Sequence, residues 1–129
     1  MKTKQDYLNL LNETVSYYTT EKNERSIKDG GCFYYKDGNM CAVGRCLIKP
    51  QNKDRLLDEN GQDSGINDLL AMFSQRVFKK EYRGFKTEFW EQLQELHDSY
   101  NIEYWKDFKL TDLGKLKVEV IKDWINKFV

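Results

Sequence analysis

The residues in this chain of 129 that are best suited to chemistry are three cysteines and a single histidine. Cys41 and Cys46 lie five positions apart in the segment MCAVGRCLI, residues 40–48, and the histidine is His97. A cysteine thiolate is the nucleophile of thiol enzymes, and a histidine can serve as its base. The same residues could instead ligate zinc, or they could be small buried core residues. The residue types alone leave these three hypotheses open.

The thiol hypothesis gives each of three residues a role. Cys41 would be the nucleophile, because it ends a predicted strand and enters a Gly-containing turn. The N–H groups of Ala42 or Val43 in that turn could stabilise a thiolate or an oxyanion. His97 would handle the proton, and Asp98 would orient the imidazole ring if the helix ends there. This arrangement predicts hydrolysis or transfer of an acyl or amide group through a thioester.

Two further side chains are candidates for substrate binding. Tyr34 shares the predicted strand face with Cys41. Arg45 lies beside the proposed thiol, where a guanidinium could lower the thiol pKa or hold an anionic substrate. The alternative for Arg45 is an ordinary surface arginine with neither role, and tyrosine is also a common residue of half-buried strands.

The zinc hypothesis uses every cysteine and the histidine. A Cys3His combination is one that structural zinc accepts, and here it would consist of Cys32, Cys41, Cys46 and His97. The four residues between Cys41 and Cys46 fit the upper limit of the usual spacing, whereas the eight between Cys32 and Cys41 exceed it. Zinc is therefore the weaker alternative to the thiol site, and no other cofactor is expected.

Hydrophobic periodicity predicts about four helices. They are expected near residues 7–18, 66–77, 88–100 and 112–128. In the third helix the residues predicted to face the core are Phe89, Trp90, Leu93, Leu96, His97 and Tyr100. In the last helix they are Leu113, Leu116, Val120, Ile121, Trp124 and Phe128.

The helices are expected to pack around a β-hairpin, which makes the predicted fold class α+β. Residues 32–43, CFYYKDGNMCAV, place two strand-like runs on either side of Asp-Gly, a favoured hairpin turn. We expect Lys36 to pair with Asn39. In this register Tyr34 lies opposite Cys41, and Cys32 lies opposite Val43. A third short strand near Ile102 would extend the hairpin to a small antiparallel sheet.

Length and charge narrow the class of protein. A chain of 129 residues fits a single domain, residues 1–129, which is large enough to bury a core. Lys and Arg together number 21, as do Asp and Glu, so the basic excess typical of nucleic-acid-binding proteins is missing. No apolar run approaches the ~18 residues of a membrane span, and the N-terminal segment lacks the apolar region of a signal peptide. We therefore expect a cytoplasmic protein with reduced thiols.

The segments CFYYKDGNMCAVGRCLI and LQELHDSYN resemble a pattern in a group of small phage- and prophage-encoded proteins. That pattern has Cys, Tyr and a Gly-containing turn before Cys-Ala-x-Gly and Leu-Ile, with Leu-Gln-x-x-His-Asp later in the chain. The matching positions are Cys32, Tyr34, Gly38, Cys41, Ala42, Gly44, Leu47, Ile48, Leu93, Gln94, His97 and Asp98. The resemblance covers about a fifth of the chain. It implies a setting, a mobile-element accessory protein in the bacterial cytoplasm, and no particular reaction.

The resemblance also implies that Cys41 acts together with His97 and Asp98, which favours the thiol site over zinc. The chain departs from the pattern at Arg45, which separates Gly44 from Cys46, and this weakens a role for Cys46. The expected function is thus a phage-type accessory protein with a Cys-His-Asp thiol site acting on a small substrate. The alternative is a non-catalytic module that binds or inhibits a host bacterial protein, so enzymatic activity is left open.

Overall fold

The computed structural model describes residues 1–20, 27–28, 31–32, 35–36, 39–40, 42–47, 74–98 and 103–129. These residues form three α-helices: α1 (Lys4–Tyr18), α2 (Thr87–Asp98) and α3 (Asp112–Phe128). They also form six two-residue strands: β1 (Ile27–Lys28), β2 (Gly31–Cys32), β3 (Tyr35–Lys36), β4 (Asn39–Met40), β5 (Trp105–Lys106) and β6 (Lys109–Leu110). Three short 3-10 helices cover Gly44–Cys46, Ser74–Val77 and Lys80–Tyr82.

The prediction of about four helices around one hairpin is wrong in its helix count, because the described residues form three α-helices. Most of the helix expected from residue 66 lies outside the described residues, and its expected last turn, Ser74–Val77, is a 3-10 helix. Ser74 has a φ of 56°, in the left-handed region, so a right-handed α-helix cannot run through it. The coarser prediction, an α+β chain that contains a β-hairpin, is confirmed.

The hairpin at Asp-Gly is confirmed together with its register. Strands β3 and β4 are antiparallel, with Lys36 opposite Asn39. The predicted continuation of this pairing is not observed, because Cys32 pairs with Ile27 in the separate β1–β2 pair. Val43 lies in a turn instead of a strand. The other residues of the predicted strand face, at positions 34 and 41, lie outside the described residues.

A further hairpin, which the sequence pattern did not predict, joins β5 to β6. Its two turn residues, Asp107 and Phe108, both have positive φ, 51° and 60°. This is the geometry of the turn that best matches the right-handed twist of paired strands. The indole N–H of Trp105 donates to the carbonyl of Leu96 at 2.7 Å and so satisfies a carbonyl in the last turn of α2. The third strand expected near Ile102 falls outside the described residues.

Helix α1 begins with a capping box. The Thr3 hydroxyl accepts a hydrogen bond from the N–H of Asp6, and the Asp6 carboxylate accepts one from the N–H of Thr3. The hydrogen bonds that the Asp6 carboxylate accepts from the N–H and from the hydroxyl of Thr3 lower the pKa of Asp6. The helix then buries one face in the core, made of Tyr7, Leu10, Leu11, Thr14 and Tyr18.

Helix α3 buries a face that only partly overlaps the one predicted. Its buried residues are Gly114, Val118, Ile121 and Ile125. Of the predicted core residues, Ile121 is buried and Trp124 is half-buried, whereas Leu113, Leu116, Val120 and Phe128 are exposed. The reason lies in Gly114: a Cβ built there would come within 2.1 Å of the Tyr104 carbonyl oxygen. Because Gly114 has no side chain, this face of α3 can lie close to the backbone of Tyr104, the residue before β5. The apolar residues on the neighbouring side of the helix are left in solvent.

Aromatic side chains make up much of the core that unites the three helices. The Tyr7 ring meets Phe85 and Phe89 edge-on, each with centroids 4.8 Å apart. The ring of Phe78 stacks on that of Trp90, with centroids 4.6 Å apart and the planes nearly parallel.

Within the described ranges, no helix is both long enough and apolar enough to cross a membrane.

Candidate functional site

His97 occupies the inner face of α2, as its spacing predicts. Its side chain is 0% exposed, and its ring centroid lies 5.2 Å from that of Tyr18 on α1. The other predicted core residues of this helix that the structure describes are buried as well: Phe89, Trp90, Leu93 and Leu96. Asp98 is the last described residue of helix α2, its backbone alone is described, and the predicted core residue Tyr100 lies outside the described residues. His97 therefore lies in the packed core between two helices.

Cys41 and Tyr34 lie outside the described residues, and so the geometry of Cys41 relative to His97 does too. The residues that follow Cys41 are described. Ala42 and Val43 are both 0% exposed in a turn that leads into the 3-10 helix Gly44–Cys46. The Cys-Ala-x-Gly segment thus enters the core directly after its cysteine.

A hydrogen bond connects this turn to α2. The N–H of Val43 donates to the Gln94 side-chain oxygen at 2.9 Å, across 51 residues of sequence. Gln94 lies one helical turn before His97, so the bond joins the Cys-Ala-x-Gly segment to the Leu-Gln-x-x-His-Asp segment. It also occupies the Val43 N–H, which was a candidate oxyanion donor. The sequence pattern included Gln94, but nothing in the sequence identified the Val43 N–H as the hydrogen-bond partner of Gln94.

Replacing Gln94 with methionine should lower the free energy of unfolding by about 1–3 kcal/mol, because the buried Val43 N–H would lose its acceptor. Chemical denaturation of the purified protein measures this loss. Gln92→Met is the matched control, since Gln92 is a half-buried glutamine of the same helix. Equal losses in the two variants would contradict the proposed importance of the hydrogen bond.

Arg45 is a buried residue at the centre of a partly exposed polar group, which we call the Arg45 cluster: Arg45, Glu13, Tyr17, Cys46 and Tyr82. Arg45 is 7% exposed and therefore not the surface arginine of the simplest expectation. One of its terminal nitrogens donates to the Glu13 carboxylate, and the other donates to the Cys46 sulfur at 3.2 Å. The guanidinium also faces the rings of Tyr17 and Tyr82, 5.2 Å and 5.7 Å from their centroids.

The cluster ties α1 to the segment before α2. The Tyr82 hydroxyl donates to the Glu13 carboxylate, and burial together with this hydrogen bond raises the pKa of Tyr82. Lys79 donates to the carbonyl of Arg45 at 3.3 Å. The Nε atom of Arg45 is buried and has no hydrogen-bond partner among the described residues. The guanidinium is thus held mainly by one carboxylate, two aromatic rings and a thiol.

Cys46 is a buried thiol that belongs to this cluster. Its sulfur is within 3.6 Å of the Ala42 carbonyl, to which the S–H donates. Burial raises the pKa of Cys46 to about 11, although the neighbouring Arg45 acts in the opposite direction. A thiol with this pKa is neutral at physiological pH and a poor nucleophile. Cys46 therefore behaves as a core residue in the described structure.

The residues proposed as zinc ligands are only partly described. Cys41 is outside the described residues, and of Cys32 the backbone alone is described. In the part of the chain that the structure describes, no group of three or more His, Cys, Asp or Glu side chains could hold a metal ion. The Cys46 sulfur contacts the Arg45 guanidinium. The positive charge of the guanidinium, 3.2 Å from this sulfur, opposes the binding of a metal cation by the same sulfur.

A shallow groove of about 170 Å³ runs along α1 next to the Arg45 cluster. Glu13 and Tyr82 contribute to its wall, together with Asp6, Glu81 and Phe85. His97 and the turn after Cys41 are not part of its lining. This groove gives water access to the Glu13 side chain, which is 45% exposed.

The exposed side of α3 carries a row of apolar side chains, which we call the α3 row. Leu113, Leu116, Val120 and Phe128 are 52%, 62%, 55% and 57% exposed. Trp124 continues the row but is half-buried against Tyr7 and Phe89. The row follows one side of the helix for most of its length and is distinct from the face that packs in the core.

Comparison with known proteins found no family model, no curated protein and no solved structure that matches this chain.

Proposed function

We propose that this chain is a non-catalytic binding module that contacts another protein chain through the α3 row. The observation that supports the proposal is the exposure of Leu113, Leu116, Val120 and Phe128 along one side of a single helix. Scattered exposed apolar residues are common, but contiguous apolar patches on soluble proteins usually mark interaction surfaces.

The interior of the protein supports the same proposal. Ala42 and Val43 are buried and His97 is completely enclosed, so the described parts of the two resembling segments pack in the core. The Val43–Gln94 hydrogen bond gives these segments a structural role, that of joining a turn to α2. Packing and hydrogen bonding therefore account for Ala42, Val43, Gln94 and His97, among the described residues of these segments, without a reaction.

The resemblance to phage- and prophage-encoded proteins supports a biological setting for this module. We place it as an accessory protein of a mobile element in the bacterial cytoplasm. This setting provides a host bacterial protein as a target for binding or inhibition, beside a second copy of the chain itself.

Position-specific photo-crosslinking in bacterial cells tests the α3 row. A photoreactive phenylalanine analogue placed at Leu116 should give crosslinked protein adducts. The same analogue at Lys115, which is exposed outside the row, should give few. Mass spectrometry of the adduct identifies the partner, either a second copy of the chain or a host protein. No adducts at Leu116, or equal adducts at both positions, would contradict the proposal.

A second candidate function is the thiol site, and one observation favours it. The Val43–Gln94 hydrogen bond attaches the residues after Cys41 to α2 one turn from His97. In this proposal the Cys41 sulfur attacks the acyl carbon of a small ester or amide. His97 accepts the thiol proton and passes it to the leaving alcohol or amine, with Asp98 as the orienting group. Water then hydrolyses the thioester.

Alkylation by iodoacetamide, followed by mass spectrometry across a range of pH, tests the second candidate. Cys46 provides an internal control within the same molecule, because its pKa of about 11 predicts no reaction of the native protein near neutral pH. An activated Cys41 would react with an apparent pKa well below ~8.5. That reactivity should disappear in His97→Ala. If Cys41 reacts only when the protein unfolds, the thiol-enzyme proposal is rejected.

A further inference from the structure

We infer that the chain covering the α3 row is a second copy of this protein, with the two α3 helices antiparallel. This inference rests on the proposed function, because it names the partner of the same surface. Two properties of the row support it: the symmetry of its apolar residues and the charges at its ends.

The apolar residues of the row are arranged almost symmetrically about Val120. Leu116 and Trp124 lie four residues before and after it, and Leu113 and Phe128 lie seven and eight residues away. When two such helices pack antiparallel with Val120 near the two-fold axis, each Leu116 lies opposite Trp124 of the other copy. Each Leu113 then lies near Phe128 of the other copy. An interface in which a surface meets itself requires this kind of self-complementarity.

The charges at the two ends of the row favour the same orientation. Asp112 lies at the N-terminal end and Lys127 at the C-terminal end, and both are exposed. Neither has an ion-pair partner among the described residues. An antiparallel arrangement brings each Asp112 near Lys127 of the other copy, whereas a parallel one places like charges together. The opposed helix dipoles add to this preference.

Lys117, one of the charged residues at the border of the row, does not oppose the contact. Lys117 lies beside Leu113 and Val120 on the helix surface. Its ammonium group already pairs with the Glu95 carboxylate of α2 at 2.7 Å. Lys117 therefore brings no unpaired charge into the contact.

The size of the row predicts a weak dimer. The row extends over 16 residues of helix, roughly 24 Å, and offers four exposed apolar side chains with one half-buried tryptophan. Five side chains are far fewer than the roughly 20–30 residues that each partner contributes to a standard stable interface of about 800 Å² per partner. We therefore expect a dimer whose population depends on concentration in the micromolar range.

Analytical ultracentrifugation of the purified full chain over a range of concentrations measures this dimer. The unmodified chain should shift from monomer to dimer as its concentration rises. Leu116→Lys should abolish the shift, and because Leu116 is exposed this change leaves the core intact. Lys115→Ser, outside the row, is the matched control and should dimerise normally. A chain that stays monomeric, or a Leu116→Lys variant that still dimerises, would overturn the inference.

A charge exchange tests the orientation. Lys127→Asp alone should weaken the dimer about tenfold, because both copies lose a pair and gain a repulsion. The double variant Asp112→Lys, Lys127→Asp should recover the affinity, since the opposite charges meet again. Circular dichroism confirms that each variant is folded. Failure of the double variant to recover would overturn the antiparallel arrangement.

The two experiments separate the inference from the proposed function. A purified chain that remains monomeric while Leu116 crosslinks to a host protein would overturn the second copy as occupant and leave the binding module standing. Absence of crosslinking at Leu116 together with a monomeric chain would overturn both.

Discussion

Glu13→Leu should lower the free energy of unfolding by about 2–4 kcal/mol, because it leaves the buried Arg45 guanidinium without its carboxylate. Arg45→Leu should be less costly, although it removes the larger side chain. The Glu13 side chain is 45% exposed, so water can solvate the carboxylate that remains, whereas the Arg45 side chain is only 6% exposed. The expected asymmetry follows from which of the two charges is left buried.

The double variant Glu13→Leu, Arg45→Leu should recover part of the loss. Replacing a buried ion pair with apolar residues is often neutral or stabilising, while removing one partner is not. Urea denaturation of the four proteins gives the coupling between the two positions. Glu119→Ala is the control, since Glu119 forms only an exposed pair with Lys122 and its loss should cost under about 1 kcal/mol. A Glu13→Leu loss no larger than that of the control would contradict this account.

Gly114→Ala should destabilise the protein by about 3 kcal/mol or more, the upper end of the loss from overpacking a core. The added Cβ would come within 2.1 Å of the Tyr104 carbonyl oxygen and 2.9 Å of Leu110. The Tyr104 carbonyl also accepts the N–H of Thr111 at 2.9 Å, so it cannot move away without breaking that hydrogen bond. Helix α3 would have to shift outward from the core.

The expected loss of stability in Gly114→Ala is opposite in sign to the effect of helix propensity alone. In an unobstructed helix interior, alanine is more favourable than glycine by about 1 kcal/mol. Thermal and urea denaturation of Gly114→Ala beside Lys115→Ala, an exposed neighbour in the same turn, separates helix propensity from the steric clash. A Gly114→Ala protein as stable as the parent would show that α3 does not approach the backbone before β5 as closely as described.

The features that the sequence determined are local ones. The spacing of Phe89, Leu93 and Leu96 predicts which face of α2 is buried, and His97 lies on that face as expected. The Asp-Gly turn sets the pairing of Lys36 with Asn39. These signals could be read because periodicity and turn preference depend on residues within a few positions of each other.

The buried face of α3 depended on the tertiary structure. Apolar residues cover so much of this helix that periodicity allows more than one inward face. The choice was made by Gly114, whose missing side chain permits a close approach to Tyr104. The periodicity of the apolar residues predicted Leu116 and Val120 in the core, because it carries no information about which backbone lies across the contact.

The partners of the candidate site residues were also decided by the fold alone. Arg45 pairs with Glu13 across 32 residues, and Val43 bonds Gln94 across 51. Sequence reasoning identified Arg45 and the region of His97 as notable, since charged and titratable residues near cysteines are chemically suggestive. It could not identify their partners, because a contact between distant segments depends on how the whole chain packs. The sequence thus determined the local elements, and packing decided which polar groups meet and which apolar face remains exposed.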